Sequence, residues 1–522
     1  MSQTSAPIRR RQPGPLSTLA VLFLGACSSP APGPRPVVQV AWQAPIPSFL
    51  PNASTSVAVV DFAALVYEGL AAVDDSGRVG PGLARAWTTA DAQTFRFRLR
   101  TGVRFHDGRP FTSADVVRAW KTALGAGPGS PEHPWQLAHI KGALAFSARE
   151  SDSIPGLRPV DDSTLDIELE SPLAPFPATL THASAAIPGV GSTADSAIGT
   201  GPWRLVHGKP RDSTYILAAN LSHWRSRPTL DSLIIRVVGP GQVGPLLDRE
   251  LIDCIPYAWG ITSLRLRPDI ALRESPPYTR LTIGLNHRNP VLQDHRVRRA
   301  LQIALDAEGL ARAYGETGYH LAQSALPPGM VGLEPTTAPA RYDPDSARKL
   351  LREAGHDRGT SLRLWFEVGS PTDTLTHLIR FVRDNLEAVG LSIEIVRVSP
   401  FEAPLLDGRV DLAIGYWLPG YPDPDALLHP FYHSQARGGL ANAGGFFDPA
   451  LDRAIDAERS LPDGPARLAA LRAAGQLAFE QLPELYLWFQ PVKTAAARRV
   501  DHCPASLHVT DYARVGLAGP SR

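Results

Sequence analysis

Between residues 361 and 417 the hydrophobic period of the chain switches back and forth. SLRLWFEV reads as a strand, THLIRFVRDNLEAV as a helix, LSIEIVRV as a strand, PFEAPLLDG as a short helix and VDLAIGYW as a strand. Such a β-α-β-α-β run implies an α/β fold: a mostly parallel sheet with right-handed crossovers and helices covering its faces. Ligands of open α/β sheets sit beyond the carboxyl ends of the strands, and the last strand leaves there at Trp417 into LPGYPDP. Tyr416, Trp417 and Tyr421 stand beside three prolines, a stiff ring-bearing loop suited to the wall of a ligand cleft. The same rings also suit a core position that seals two layers.

The first half of the chain has a different rhythm. VVQVAW (37–42) reads as a strand, and a helical stretch ends near Val66, Tyr67 and Glu68. In TFRFRLR, Phe95, Phe97 and Leu99 alternate with Arg96, Arg98 and Arg100, the signature of a half-buried strand with a solvated arginine face. Thr112 and Asp115 form a capping pair before a helix carrying Val116, Val117, Trp120 and Leu124 on one face. STLDIELESPL adds a strand, and together these define an α+β subdomain over about 74–195. Further on, Asp294 and the Asp343-Pro344 pair open two more helices with core-facing periodicity. At 522 residues the chain exceeds the ~250–300 at which a single core stops growing, so more than one domain is required.

Arg9, Arg10 and Arg11 precede LSTLAVLFLGA, an apolar run of about 11 residues, too short for the ~20 needed to span a bilayer but right for a secretory signal. Leu24-Gly25-Ala26-Cys27 resembles the lipobox of bacterial lipoproteins, which implies cleavage after residue 26 and lipid attachment at Cys27. SSPAPGPRP (28–36) then fits a semi-rigid polyproline spacer, which with Cys27 makes a Pro-rich tether over residues 27–36. Cys254 and Cys503 are too few for a disulfide framework or a metal cluster. Net charge of +1 and the absence of any Lys/Arg block with interleaved aromatics argue against nucleic acid. Enzyme signatures fail as well. Ser346-Ala-Arg-Lys349 matches S-x-x-K but lacks its companion motifs, and the 15 histidines show no H-E-x-x-H. His106-Asp107 is explained as a turn, and IGTGP is either a set of backbone donors or a tight turn. No catalytic residue, metal or cofactor is expected.

Blocks in fixed order carry a family resemblance: VYEGL with LARAW, TFRFRLRTGVRFHDGRPFTSADV, IGTGPWRL, NLSHWRSRPTLDSLIIRVV, QDHRVRRALQIALD, YDPDSARKLLREAG and GYWLPGYPDP. They resemble the extracellular solute-binding proteins of peptide and nickel type (family 5) that serve ABC importers. The resemblance implies a two-lobed periplasmic-binding-protein type II architecture with an extra α+β subdomain. Lobe one would span 37–278, lobe two 279–490, and a carboxyl-terminal segment, 491–522, would return to lobe one. It implies a monomer, exported and lipid-anchored in the periplasm or on the outer face of the cell membrane, that closes on a small solute and passes it to permease and ATPase subunits. Expected solute contacts are Tyr416, Trp417, Gly420, Tyr421, Tyr257, Trp259 and Thr200. One departure stands out. Peptide binders of the family commonly place an Asp before the Tyr or Asn of this loop, where it pairs with the ligand's α-ammonium, and here that position is Gly420. A peptide-like solute is the first expectation, and blocked peptides, opines, sugars and metal chelates are alternatives, as is a signalling or adhesion role for the same fold.

Overall fold

A computed structural model of the chain describes residues 37–501, together with Cys503 and 514–517, apart from 54–55, 75–76, 128–132, 259–267, 315–317, 336, 357–358, 368–372, 399–408, 438–440. The signal and tether with Cys27, the short helix expected over 400–408, and Trp259 all lie outside the described residues. Residues 36–522 form one unit, built on two large sheets.

The first sheet is centred on Val37–Trp42, paired in parallel with Ser232–Val237 on one side and Cys254–Ile255 on the other. Strand Lys493–Ala497, from the far end of the chain, inserts antiparallel between Cys254–Ile255 and Ile270–Glu274. A disulfide from Cys254 to Cys503 ties the same two regions together. Against this sheet packs helix Val57–Val66, whose Val59, Phe62, Ala63 and Leu65 are buried.

The subdomain is a four-stranded antiparallel sheet, with Ala84–Thr89, Thr94–Leu99, Thr164–Glu168 and Leu157–Asp161 in that order. Phe95, Phe97 and Leu99 point into a core shared with helix Ser113–Leu124, while Arg96 on the opposite face holds Asp166 through two 2.7 Å hydrogen bonds. Thr112 and Asp115 form the capping box of that helix. Alternation and capping, both local signals, therefore locate this unit.

The second sheet runs His320–Leu321, Glu484–Gln490, Thr279–Leu285, Leu412–Trp417, Ser361–Glu367 and Ser392–Val398. Parallel pairing is confined to its last three strands. The expectation of a mostly parallel sheet is thus corrected: Thr279–Leu285 runs antiparallel to both neighbours, because its pairing partners come from distant segments and not from the β-α-β-α-β run. Leu281, Ile283 and Leu285 face a core shared with helices such as His295–Ala304 and Asp373–Glu387 on one side of the sheet. Arg280, Thr282 and Gly284 face the other side, toward helix Asp425–Tyr432. Two short crossings join the sheets, one between Glu274 and Thr279 and one between Gln490 and Lys493. They brace each other, since Ser275 N–H donates to the Val492 carbonyl at 3.0 Å and Val492 N–H donates to Ser275 Oγ at 2.9 Å.

Candidate functional site

Helix Val57–Val66 ends where the chain crowds it. A Cβ added to Gly199 would lie 1.9 Å from the Val66 carbonyl oxygen, and Gly201 N–H donates to that oxygen at 3.0 Å. The glycines of IGTGP thus serve a close backbone approach that no side chain permits. Past this stop, Tyr67, Glu68 and Gly69 turn along the wall of a cavity of about 230 Å³, into which the helix also presents Val57, Val60 and Ala64. From the second sheet, Leu418, Pro419 and Gly420 close the opposite side, having left the strand end at Trp417.

Glu68 is the single carboxylate among the described lining residues. Thr200 Oγ1 and Trp224 Nε1 each donate to its Oε2 at 2.8 Å, and His223 Nε2 lies 3.2 Å from Oε1. Three partners occupy most of the roughly four acceptor positions of a carboxylate. Burial pulls the His223 pKa down, but the hydrogen bond and charge of Glu68 outweigh it and hold the imidazole above its ordinary value. Trp224 is flanked by Arg100 and Arg225, whose guanidinium carbons lie 4.3 and 5.0 Å from its ring centre, and Arg225 reaches the cavity wall. His182, also on the wall, has its pKa lowered to about 4 by burial and is neutral at pH 7. The wall therefore carries the positive charge of Arg225 and an imidazole whose protonated form Glu68 favours, against one carboxylate that is already engaged.

The structure separates the expected site residues. Gly420 lines the cavity, and a Cβ there would meet Trp135 at 3.5 Å and His182 at 3.7 Å, ordinary contacts. Thr200 is fully buried and acts on the cavity through Glu68. Tyr421 is buried: its ring packs on Ala178 and lies 5.6 Å from Trp135, and its hydroxyl donates to Asp425 Oδ2 at 2.8 Å. Trp417 and Tyr416 line a different cavity inside the second lobe, where Trp417 meets Phe431 edge-on at 4.8 Å and Gln490 donates to the Tyr416 hydroxyl. Tyr257 donates to Asp61 Oδ1 at 2.8 Å on the helix behind the cavity. Asp423, the acid that follows in the same loop, is taken by Arg467 in a bidentate pair at 2.7 and 2.8 Å. His106 is held between the Gly199 N–H and the Gly201 carbonyl, and Ser346 Oγ donates to its own cap, Asp343, at 2.8 Å. Sequence reasoning missed His182, His223 and Arg225. NLSHWRSRP holds two of them in plain view, but nothing local pairs them with Glu68, which lies more than 150 residues away.

Two α/β lobes around a shared cleft, with a small α+β subdomain on the first, are the type II architecture of periplasmic binding proteins. Solved structures share it. The ABC transporter-associated periplasmic binding protein DppA of Helicobacter pylori, in complex with a peptide, matches with a TM-score of 0.77 at 20% identity, covering 92% of this chain and 98% of that one. NikZ of Campylobacter jejuni, in complex with Ni(L-His), matches with a TM-score of 0.75 at 19% identity, covering 92% and 100%. Residues 78–439 match the bacterial extracellular solute-binding proteins, family 5, and the chain belongs to that family. It is accordingly a binding protein and not an enzyme. Di/tripeptide-binding protein 2 of Pseudomonas aeruginosa is 27% identical over 480 residues, which cover 87% of this chain and 89% of that protein.

Proposed function

We propose that the protein is the substrate-binding component of an ABC importer, tethered through a lipid on Cys27, that captures a peptide or peptide-like solute between its lobes and delivers it to a permease. The observation that carries this reading is the cavity between helix Val57–Val66 and the loop Leu418, Pro419, Gly420. Its relatives include a di/tripeptide-binding protein, which supports the peptide class. Gly420 and the engaged Glu68 refine it. A buried ammonium without a counter-charge costs several kcal/mol, so the solute end that reaches Gly420 is uncharged, while a carboxylate suits the side bearing Arg225 and His223.

Calorimetry with Ala-Phe and N-acetyl-Ala-Phe tests both levels. The acetylated form is expected to bind more tightly and to raise the melting temperature, by an increment equivalent to ~2.7 kcal/mol when present at a hundred times its Kd. Tighter binding of the free-amine form would overturn the refinement. Failure of peptides of every kind would overturn the peptide class. A second reading has one specific support: His182 is a neutral imidazole on the wall, the state in which histidine ligates metals, so a nickel–histidine chelate belongs in the same titration series.

A further inference from the structure

The second lobe contains a cavity of its own, about 100 Å³, between strands Thr279–Leu285 and Leu412–Trp417 and helix Asp425–Tyr432. Arg280 forms part of its lining and is 1% exposed. Its Nη1 donates to the Tyr432 hydroxyl at 2.7 Å and to Glu484, whose other oxygen accepts from Thr282 at 2.9 Å. The guanidinium carbon sits 3.6 Å above the centre of the Phe431 ring. One edge of the guanidinium is thereby fixed. The other edge is not: Nε and Nη2 are buried without a hydrogen-bond partner, and so is Nε1 of Trp417 on the same cavity. Folded proteins rarely leave buried donors unanswered, and Nε with Nη2 forms the parallel fork through which arginine grips a planar acceptor.

We infer that this cavity is a second binding site, taking a small, flat, uncharged group with a carbonyl oxygen, such as a carboxamide, against Arg280 Nε and Nη2 and the indole N–H of Trp417. The volume is roughly three times the ~30 Å³ share of one liquid water, which admits a group of that size but not a whole peptide. Aromatic rings of Trp417 and Phe431 suit a planar occupant. Charge selects against a carboxylate. Glu484 already neutralises Arg280 with both side chains buried, so an anion would add an uncompensated charge. His287, the histidine on the lining, has its pKa lowered to about 4 by burial and offers no compensating cation at pH 7. None of the lining residues is shared with the cleft between the lobes, so the site stands or falls separately from the cleft reading.

The test uses full-length protein carrying isotope-labelled tryptophan, with the Trp417 indole signal assigned by its loss in Trp417→Phe. Acetamide is expected to shift that signal saturably at millimolar concentration, and acetate to act about tenfold more weakly, a difference of ~1.4 kcal/mol. In the double variant Arg280→Met/Glu484→Gln, which removes the pair without stranding one charge, the acetamide response is expected to vanish while circular dichroism stays native. No saturable shift in the wild type means that water alone fills the cavity and overturns the site. An undiminished response in the double variant, or acetate binding as well as acetamide, overturns the assigned chemistry. Should the double variant fail to fold, the acetamide and acetate titrations of the wild type decide on their own.

Discussion

Gly420 brings no side chain to the cleft, yet there is room for one. Its backbone lies outside the left-handed region, and an added Cβ meets its neighbours at 3.5 and 3.7 Å. Gly420→Asp is therefore expected to fold with stability within ~0.5 kcal/mol of the wild type and to place a carboxylate beside Trp135 and His182. Affinity for Ala-Phe with a free amine is expected to rise at least ~tenfold, the weight of one charge-assisted hydrogen bond. Calorimetry showing no gain would mean that position 420 does not meet the solute's amino end. Asp61 makes a residue-scale prediction of another kind. Burial raises its pKa to about 7 against the opposing hydrogen bond from Tyr257. Between the ordinary carboxylate value and pH 7 the folded state holds a proton that the unfolded state has released, so stability falls as pH rises through that window. Urea denaturation at pH 5 and pH 8 should show the wild type losing on the order of 3 kcal/mol relative to Asp61→Asn, which has no proton to give up. Parallel pH curves for the two proteins would refute the raised pKa.

Elements whose signals are local were legible: the alternation of Thr94–Leu99, the Thr112–Asp115 box, and the caps at Asp294 and Asp343, which accept from Arg296 N–H at 2.8 Å and Ser346 N–H at 2.9 Å. Pairing across the chain was not. Thr279–Leu285 turns the second sheet antiparallel through partners such as Glu484, 202 residues from Thr282, and no period in the sequence encodes that distance. The loop of the candidate site divides for a related reason. Strand positions alternate faces, so Trp417 follows Gly415 and Ala413 onto the side facing helix Asp425–Tyr432, opposite Arg280. The loop residues Leu418 to Gly420 then reach the cleft. What holds that loop is Asp423, clasped by Arg467, which is also bonded to Glu458. Asp423→Ala is expected to cost about 3 kcal/mol, because a buried guanidinium loses its bidentate partner. Asp463→Ala removes another Arg467 contact, but its side chain is 83% exposed and the loss should be within ~0.5 kcal/mol. Equal midpoints for the two variants in urea would show that the clasp does not anchor the loop.

At the scale of the whole molecule, the lobes meet along a seam as well as through the crossings. Trp135 of the subdomain region, 39% exposed, lays its ring 5.6 Å from that of Tyr421, and Ala174 N–H donates to the Arg459 carbonyl at 2.7 Å. These contacts belong to the arrangement in which Gly420 closes the cavity, so they favour it whether or not a solute is present. A solute adds only its differential affinity for the closed form. Trp135→Ala removes the larger contact while leaving helix, sheet and crossings untouched. Without solute, the variant should give a larger radius of gyration by small-angle scattering than the wild type. Because apparent Kd is the intrinsic value divided by the fraction of closed molecules, affinity should fall by one common factor for every solute the protein binds. Gly420→Asp behaves differently, since it distinguishes solutes by their charge. An unchanged radius of gyration with affinity lost for one solute alone would place Trp135 on the solute and not on the seam.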